Sequence, residues 1–247
     1  MAYGPLCTEF YDADKPRASD AEVAWYEARL PSGSGPVLEA MCGSGRLLIP
    51  LLERSLNVHG VDTSAAMLAS CETRLARAKL QTPLFRQDLA KLNVPFRYAA
   101  AFAAAGSFQL LADPASATSA LERIRAHLVP PGVLLLDLTI PDAALHPPAA
   151  PLVEVRAVKL PEGERITVRS ETLVDAHARR LAIALRYEKR ARSKITREDE
   201  KLVLTWYDEA QIRTLLDDTG FVDVTIEPAA FASGEPTAFA VRARMAG

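Results

Sequence analysis

The stretch VLEAMCGSGRLLIPLL, residues 37–52, places a glycine–serine–glycine between two apolar runs. Val37–Met41 reads as a buried strand, and Leu47–Leu52 has the spacing of a helix face, so a helix is predicted over 45–55. Glycines between a strand and a helix let something approach the backbone closely, and the free N–H groups of a helix start can hold it. Outward from this block the chain alternates. Strands are predicted at 57–61, 84–87, 100–105 and 133–138, with helices at 64–79 and 114–128. Strands that are apolar throughout and separated by helices imply a parallel sheet covered on both faces.

The rhythm breaks at Pro141. The connector PDAALHPPAAP is followed by a pattern that alternates in twos. Residues 152–160, 165–174, 180–189 and 201–208 read as four antiparallel strands with turns at PEGE and DAHA. The mixed charge run KRARSKITREDEK, 189–201, reads as a solvated loop or edge. Helix 208–219 and strands 222–227 and 237–244 then resume the α/β pattern. Before the sheet, residues 20–30 are predicted helical with Ser19 or Asp20 as cap. The organisation expected is an N-terminal aromatic segment (1–34), an α/β domain (35–141 and 207–247) and an antiparallel insertion (142–206).

Composition bounds the chemistry. The 247 residues carry a formal net charge of −2, with 49% hydrophobic and 24% charged residues. That is ordinary globular balance and gives no basic stripe for nucleic acid. No apolar run has the length of a membrane span, and MAYGPLCTEF lacks the build of a signal peptide. Cys7, Cys42 and Cys71 form no CxxC pair and no zinc spacing, so a reducing cytoplasm, no metal and no disulfide are expected.

The glycine block fits neither common phosphate motif. A dinucleotide fingerprint would need a third glycine where Leu48 stands, and a P-loop would need Gly-Lys-Ser/Thr where Arg46-Leu47 follow. Yet Asp62, ending the second strand in HGVDTS, stands where a carboxylate accepts both hydroxyls of a ribose. Taken together, Glu39-Ala-Met-Cys-Gly-Ser-Gly45, Val61-Asp62-Thr-Ser-Ala-Ala-Met67 and Gln87-Asp88-Leu89 resemble the three cofactor motifs of class I S-adenosylmethionine-dependent methyltransferases. The resemblance covers about residues 35–140 and resumes over 208–245. Met41 departs from it, standing where the family has its first glycine. The implied fold is a Rossmann-like, mostly parallel seven-stranded sheet carrying the antiparallel insertion.

The resemblance also implies roles. Glu39 orients the loop and the amino-acid end of S-adenosylmethionine, and Gly43 and Gly45 give backbone access. Asp62, beside Thr63, holds the ribose, and Met67 packs on the adenine. Asp88, between Gln87 and Leu89, accepts from the adenine amino group. Ala105, Ser107 and Phe108 line the methionine and face the methyl acceptor. Structural alternatives stand beside these: Asp62 as a helix cap, Asp88 as a turn former, Met67 as core. His59, His127, His146 and His177 sit in ordinary contexts.

Methyl transfer from a sulfonium is an in-line displacement in which alignment and desolvation supply most of the rate, so no triad or metal is required. Tyr3, Phe10, Tyr11 and Trp25 suit an aromatic lid over cofactor and acceptor, or ordinary packing. Trp206 and Tyr207 suit a further acceptor wall, and Tyr207 or His146 a proton relay. The phrase YGPLCTEFYDADKP before the glycine block is similar to methyltransferases of the toxoflavin-biosynthesis type, which act on ring nitrogens of an azapteridine. The insertion resembles that of sugar-amine and glycine-type N-methyltransferases. The expected protein is an S-adenosylmethionine-dependent N-methyltransferase of a small planar nitrogen heterocycle, with an amine N-methyltransferase of another pathway as an alternative. It is expected as monomer or homodimer, releasing S-adenosylhomocysteine. An oxidoreductase, a non-catalytic scaffold, an O-methyltransferase and a nucleic-acid methyltransferase are the competing readings. The last is disfavoured because AAAGSF replaces an N/D-P-P-Y/F motif after the fourth strand, and no room is left for a base-recognition domain.

Overall fold

The computed structural model describes residues 3–31, 33, 35–161, 163–191, 194–229 and 237–246. Two helices lead, α1 (Pro5–Asp14) and α2 (Asp20–Glu27). Then come β1 (Val37–Ala40), α3 (Leu48–Glu53), β2 (Val58–Asp62), α4 (Ala65–Ala78), β3 (Leu84–Arg86) and β4 (Tyr98–Ala103). After α5 (Pro114–His127) and β5 (Leu128–Thr139), a short α6 (Asp142–Leu145) leads into β6 (Leu152–Lys159), β7 (Arg165–Asp175), β8 (Arg180–Ala191) and β9 (Lys194–Thr205). The chain closes with α7 (Glu209–Asp218), β10 (Phe221–Pro228) and β11 (Ala238–Met245).

Seven strands form one sheet in the order β10-β11-β5-β4-β1-β2-β3. β1 pairs in parallel with both β2 and β4, while β11 runs antiparallel between β5 and β10. Apolar clusters cover the two faces. One contains Leu38, Leu121, Leu136 and Leu216, and the other Val37, Leu48, Cys71 and Phe102. β6 to β9 form a separate antiparallel sheet in sequence order. All three cysteines are buried and unpaired. Among the described residues no helix is long and apolar enough to cross a membrane.

The first corrected expectation is the helix over 45–55, which shrinks to Leu48–Glu53 because the backbone before it is left-handed at Met41 (φ 60°), Gly43 (53°) and Gly45 (80°). Met41 takes this conformation despite its Cβ, a strain of the kind that glycine relieves. At Gly45 a side chain has no room: a Cβ there would stand 2.7 Å from Cys71 Sγ and 3.2 Å from Ile49.

The charge run 189–201 is the second correction, since most of it is strand. Its charges pair across the β8–β9 ladder: Arg186 with Asp199 at 2.7 Å, and Arg197 with Glu188 at 2.9 Å. Residues 192–193, within the run, lie outside the described residues. Where 201–208 is predicted as strand, β9 ends at Thr205, so Trp206 and Tyr207 follow it. The third correction is α1, which the spacing does not mark. Pro5 opens it where a missing N–H costs nothing, and its free amides are satisfied from the second sheet. Glu198 accepts from Leu6 N at 3.1 Å and Cys7 N at 2.9 Å, and Glu200 accepts from Gly4 N. Below it, Leu6, Cys7 and Phe10 pack on Ile166, Val168 and Tyr187.

Two outcomes follow. Gly45→Ala, which combines a left-handed φ with a blocked Cβ, is expected to lose about 2 kcal/mol in urea unfolding at unchanged m-value. Glu198→Ala removes the carboxylate under α1 and is expected to cost about 1–2 kcal/mol. In that variant, hydrogen exchange quickens at residues 6–10 while the amides of β1 and β4 keep their protection.

Candidate functional site

A cavity of about 640 Å³ opens past the carboxyl ends of β1, β2 and β4. The strand order reverses there, with β1 lying between β2 and β4, and open α/β sheets bind ligands at such a point. The loops that follow the strands supply the walls. Glu39, Gly43, Asp62, Thr63, Met67, Gln87, Asp88, Leu89, Ala105 and Ser107 all line it, joined by Tyr11 of α1 and by Tyr3 just before that helix. Gly45 is not among its lining residues; it serves the packing of the loop on Cys71 and Ile49.

Asp62 shapes this wall. Its Oδ2 accepts from Gly43 N at 2.9 Å and its Oδ1 from Ser64 N at 2.8 Å, so one carboxylate joins the glycine loop to the start of α4. The helix cap is Ser64, which accepts from Met67 N at 3.1 Å. Asp62 therefore is not the cap, and its remaining lone pairs are available to a ligand. Burial raises its pKa, opposed by the backbone N–H groups of Ser64 and Gly43. Asp88 does form a turn, accepting from Ala90 N at 3.0 Å, and also lines the cavity. Gln87 grips the loop opposite, bonding both to Asn93 N at 2.8 Å and to Asn93 O at 3.0 Å.

Two buried polar atoms on this wall have no hydrogen-bond partner among the described residues: Glu39 Oε2 and Ser107 Oγ. Burial holds the Glu39 carboxyl well above the usual carboxylate range, with Arg46 pulling the other way. An orphaned buried carboxylate is costly unless a bound group completes it. The donor set fits S-adenosylmethionine on this ground: a carboxylate for its ammonium, another for its ribose, a third for an amino group, and left-handed backbone beside them.

A second cavity of about 790 Å³ adjoins the first, sharing Lys15, Arg46, Ala105, Gly106 and Leu204 with it. His146 lines this second cavity, but its side chain is 79% exposed and paired with Asp142 at 3.2 Å, so it presents an open rim group. The remaining acceptor candidates do not converge. Phe10 packs edge-on against Tyr187, Phe108 is fully buried with its ring facing Tyr207, and Trp206 is buried in the core. None of Phe10, Phe108, Trp206 and Tyr207 lines either cavity, because each fills a seam between elements. Trp25 stacks under the Arg29 guanidinium, 4.2 Å from its ring centre, and is likewise no part of a lid.

Several wall residues escape the sequence motifs. Arg46 binds Glu22 through two nitrogens at 2.6 Å each. Asp137 accepts from Gly106 N at 2.6 Å and from Tyr26 Oη at 2.8 Å. One sign of Asp137 is present in VLLLDL: a charge inside an apolar buried strand must have partners. Arg46 and Lys15 have no comparable mark.

Residues 37–132 match the family model described as "Methyltransferase domain". Over 117 residues the chain is 30% identical to dTDP-3-amino-3,6-dideoxy-alpha-D-glucopyranose N,N-dimethyltransferase of Streptomyces fradiae, covering 47% of this chain and 44% of that protein. It is 28% identical over 121 residues to the putative methyltransferase YqeM of Bacillus subtilis, covering 48% of each. The match thus spans about half the length of these curated relatives. Among solved structures, the sugar N-methyltransferase KedS8 from Streptoalloteichus superposes with a TM-score of 0.75 at 21% identity, over 100% of this chain and 97% of that one. The glycopeptide N-methyltransferase MtfA, complexed with S-adenosylhomocysteine, gives 0.61 at 26% identity, over 93% and 90%. The chain has the Rossmann-like methyltransferase fold, with an antiparallel four-stranded sheet beside the seven-stranded one, and its residues 37–132 are similar to the methyltransferase domain model.

Proposed function

We propose that the protein is an S-adenosylmethionine-dependent N-methyltransferase acting on a small molecule. One observation carries this: the partnerless Glu39 Oε2 lies in the same cavity as Asp62, Asp88 and the left-handed loop around Gly43. When bound, S-adenosylmethionine supplies an electrophilic methyl group on a sulfonium sulfur. Glu39 takes its ammonium, Asp62 its ribose hydroxyls and Asp88 the adenine amino group, with Met67 against the ring. Tyr11 from α1 and Tyr3 from the segment before it close the cavity and exclude water. Alignment and desolvation are then the main catalytic contributions of the chain. The relatives named as sugar and glycopeptide N-methyltransferases support an amine as acceptor. The narrower azapteridine acceptor suggested by the N-terminal segment would need a stacking pair in the acceptor cavity. Among the described residues lining the second cavity, the only ring is that of exposed His146.

Calorimetry tests the cofactor directly. S-adenosylmethionine and S-adenosylhomocysteine are expected to bind and NAD is not; binding of NAD alone would favour an oxidoreductase. Asp62→Ala forfeits two charge-assisted hydrogen bonds within the loop besides the ribose contact. Its S-adenosylmethionine affinity is expected to fall about 100-fold, equivalent to roughly 3 kcal/mol.

Glu39 adds a pH signature. Its folded-state pKa is raised by burial, so the folded protein holds the proton more tightly than the unfolded chain. Stability of the cofactor-free protein therefore falls as pH rises from the ordinary carboxylate value through the raised one. Glu39→Gln removes that loss. It is expected to raise the melting temperature of the cofactor-free protein more at pH 8 than at pH 5, while weakening S-adenosylmethionine binding about tenfold. Scanning calorimetry at the two pH values, with a titration alongside, reads both effects.

A further inference from the structure

The three sequence motifs all face the first cavity. The second has a carboxylate centre of its own. Asp137 lies two residues before the end of the fifth strand, is 6% exposed and lines this cavity. It is held from two sides, by Gly106 N at 2.6 Å and by the hydroxyl of fully buried Tyr26 at 2.8 Å. Gly106 and Ala105 line both cavities, so they form the partition across which a methyl group would pass. Asp137, bonded to Gly106 N, stands beside that partition on the side of the second cavity. A carboxylate has about four acceptor positions, and its backbone and tyrosine donors leave capacity toward the cavity.

The charges around it have one sign in excess. Glu22 is neutralised by Arg46, its bidentate partner. Asp142 and Glu154 line the same cavity with His146, and exposed Lys15 stands at the junction of the two cavities. On the cofactor side Asp62 and Asp88 add two more carboxylates, against the single lysine of that wall beyond the junction, Lys201; Glu39 is set aside because the cofactor's ammonium would occupy it. An acceptor that attacks as an anion, such as a phenolate or carboxylate, would enter against this field. An amine attacks as the neutral base and carries positive charge once methylated, which the field favours.

We propose that Asp137, seated by Tyr26, is the residue that grips the acceptor nitrogen, and that the acceptor is a primary or secondary aliphatic amine. This rests on the methyltransferase function proposed above. Methylation forms one N–C bond and breaks the C–S bond, whose electron pair stays on sulfur. It leaves one proton in surplus on nitrogen, and the Asp137 carboxylate is placed to take it. Burial raises the Asp137 pKa, opposed by the hydrogen bonds from Gly106, Ala105 and Tyr26, which suits a group that gains a proton. Tyr26 is the positioning residue: it touches Asp137, packs on Phe102 and Trp25, and lines neither cavity.

The test uses wild type, Asp137→Asn and Tyr26→Phe, each first titrated with S-adenosylmethionine and melted. The acceptor probes are a library of aliphatic amines, each paired with the alcohol of the same skeleton. Methyl products are read by mass spectrometry, and binding of the best amine to the S-adenosylhomocysteine complex by calorimetry. Wild type is expected to methylate amines and not their alcohols. Asp137→Asn, with S-adenosylmethionine affinity within threefold, is expected to lose turnover at least 100-fold and to bind amine no better than alcohol. Tyr26→Phe is expected to keep the preference for amines with about tenfold lower turnover and a shifted pH profile. Amine turnover and binding in Asp137→Asn equal to wild type, or methylation confined to alcohols, would overturn the assignment. Failure of wild type to bind S-adenosylmethionine would instead overturn the function on which it rests.

Discussion

The site is organised by one carboxylate bridging two backbone segments that are far apart in sequence. Asp62 ties the loop after β1 to the start of α4 through Gly43 N and Ser64 N. These bonds supply acceptors to N–H groups that a left-handed loop turns away from any ladder. They also fix where the loop stands relative to the parallel strands beneath it. With β1 paired to β2 from Val37 to Ala40, the loop leaves the sheet beside the end of β2, where Asp62 waits. The cavity is the space those constraints leave open, so its shape is set by the sheet register before any ligand arrives.

How much of this was legible in the sequence differs by element, for physical reasons. Period-3.6 and all-apolar runs mark the parallel sheet and its helices because burial on two faces leaves polar residues nowhere to go. Glu39, Asp62 and Asp88 stand out in the sequence because each lies near or just past the end of a predicted strand, and the structure brings all three to one cavity. The acceptor side is not. Aromatic density at 3–26 suggested a lid, but aromatics fill seams as readily as they face ligands, and Phe10 and Trp25 do the former. The charge run at 189–201 looked like loop because charge says which face is wet, not whether the backbone is paired. Only the register opposite β8 shows its alternate charges meeting partners. Met41 in the left-handed region could not be foreseen from its own identity.

α1 links the two halves of the molecule. Its N-terminus is held by Glu198 and Glu200 from the second sheet, while Ser64 Oγ donates to Tyr3 O from the first. Arg74 and Ser70 on α4 both reach Asp12, and Lys189 on β8 reaches Glu9 at 2.6 Å. The exposed pairs among these contribute little singly. The bonds from backbone N–H to carboxylate are worth more, since charge-assisted hydrogen bonds are the stronger kind. Tyr3 and Tyr11 reach the cavity only because α1 is strapped in this way. The second sheet thus acts on the cofactor side twice, through α1 and through Lys201 to Leu204 on its own wall.

The electrostatic design trades stability for a ligand. Glu39 and Asp137 lie in the interior, where an ionised carboxylate is expensive and burial pushes both toward the protonated form. Asp137 recovers part of that cost from Gly106 and Tyr26; Glu39 Oε2 has the charge of Arg46 in its favour but no hydrogen-bond partner among the described residues. A protein selected for stability alone would place an apolar side chain at 39. On the proposed function, the uncompensated carboxylate at 39 would be completed by the ammonium of the cofactor. The difference between the two carboxylates then matches their proposed roles. Glu39 would be anchored by the ligand itself. Asp137 would have to stay fixed while the groups before it change charge, and the fold holds it from both sides.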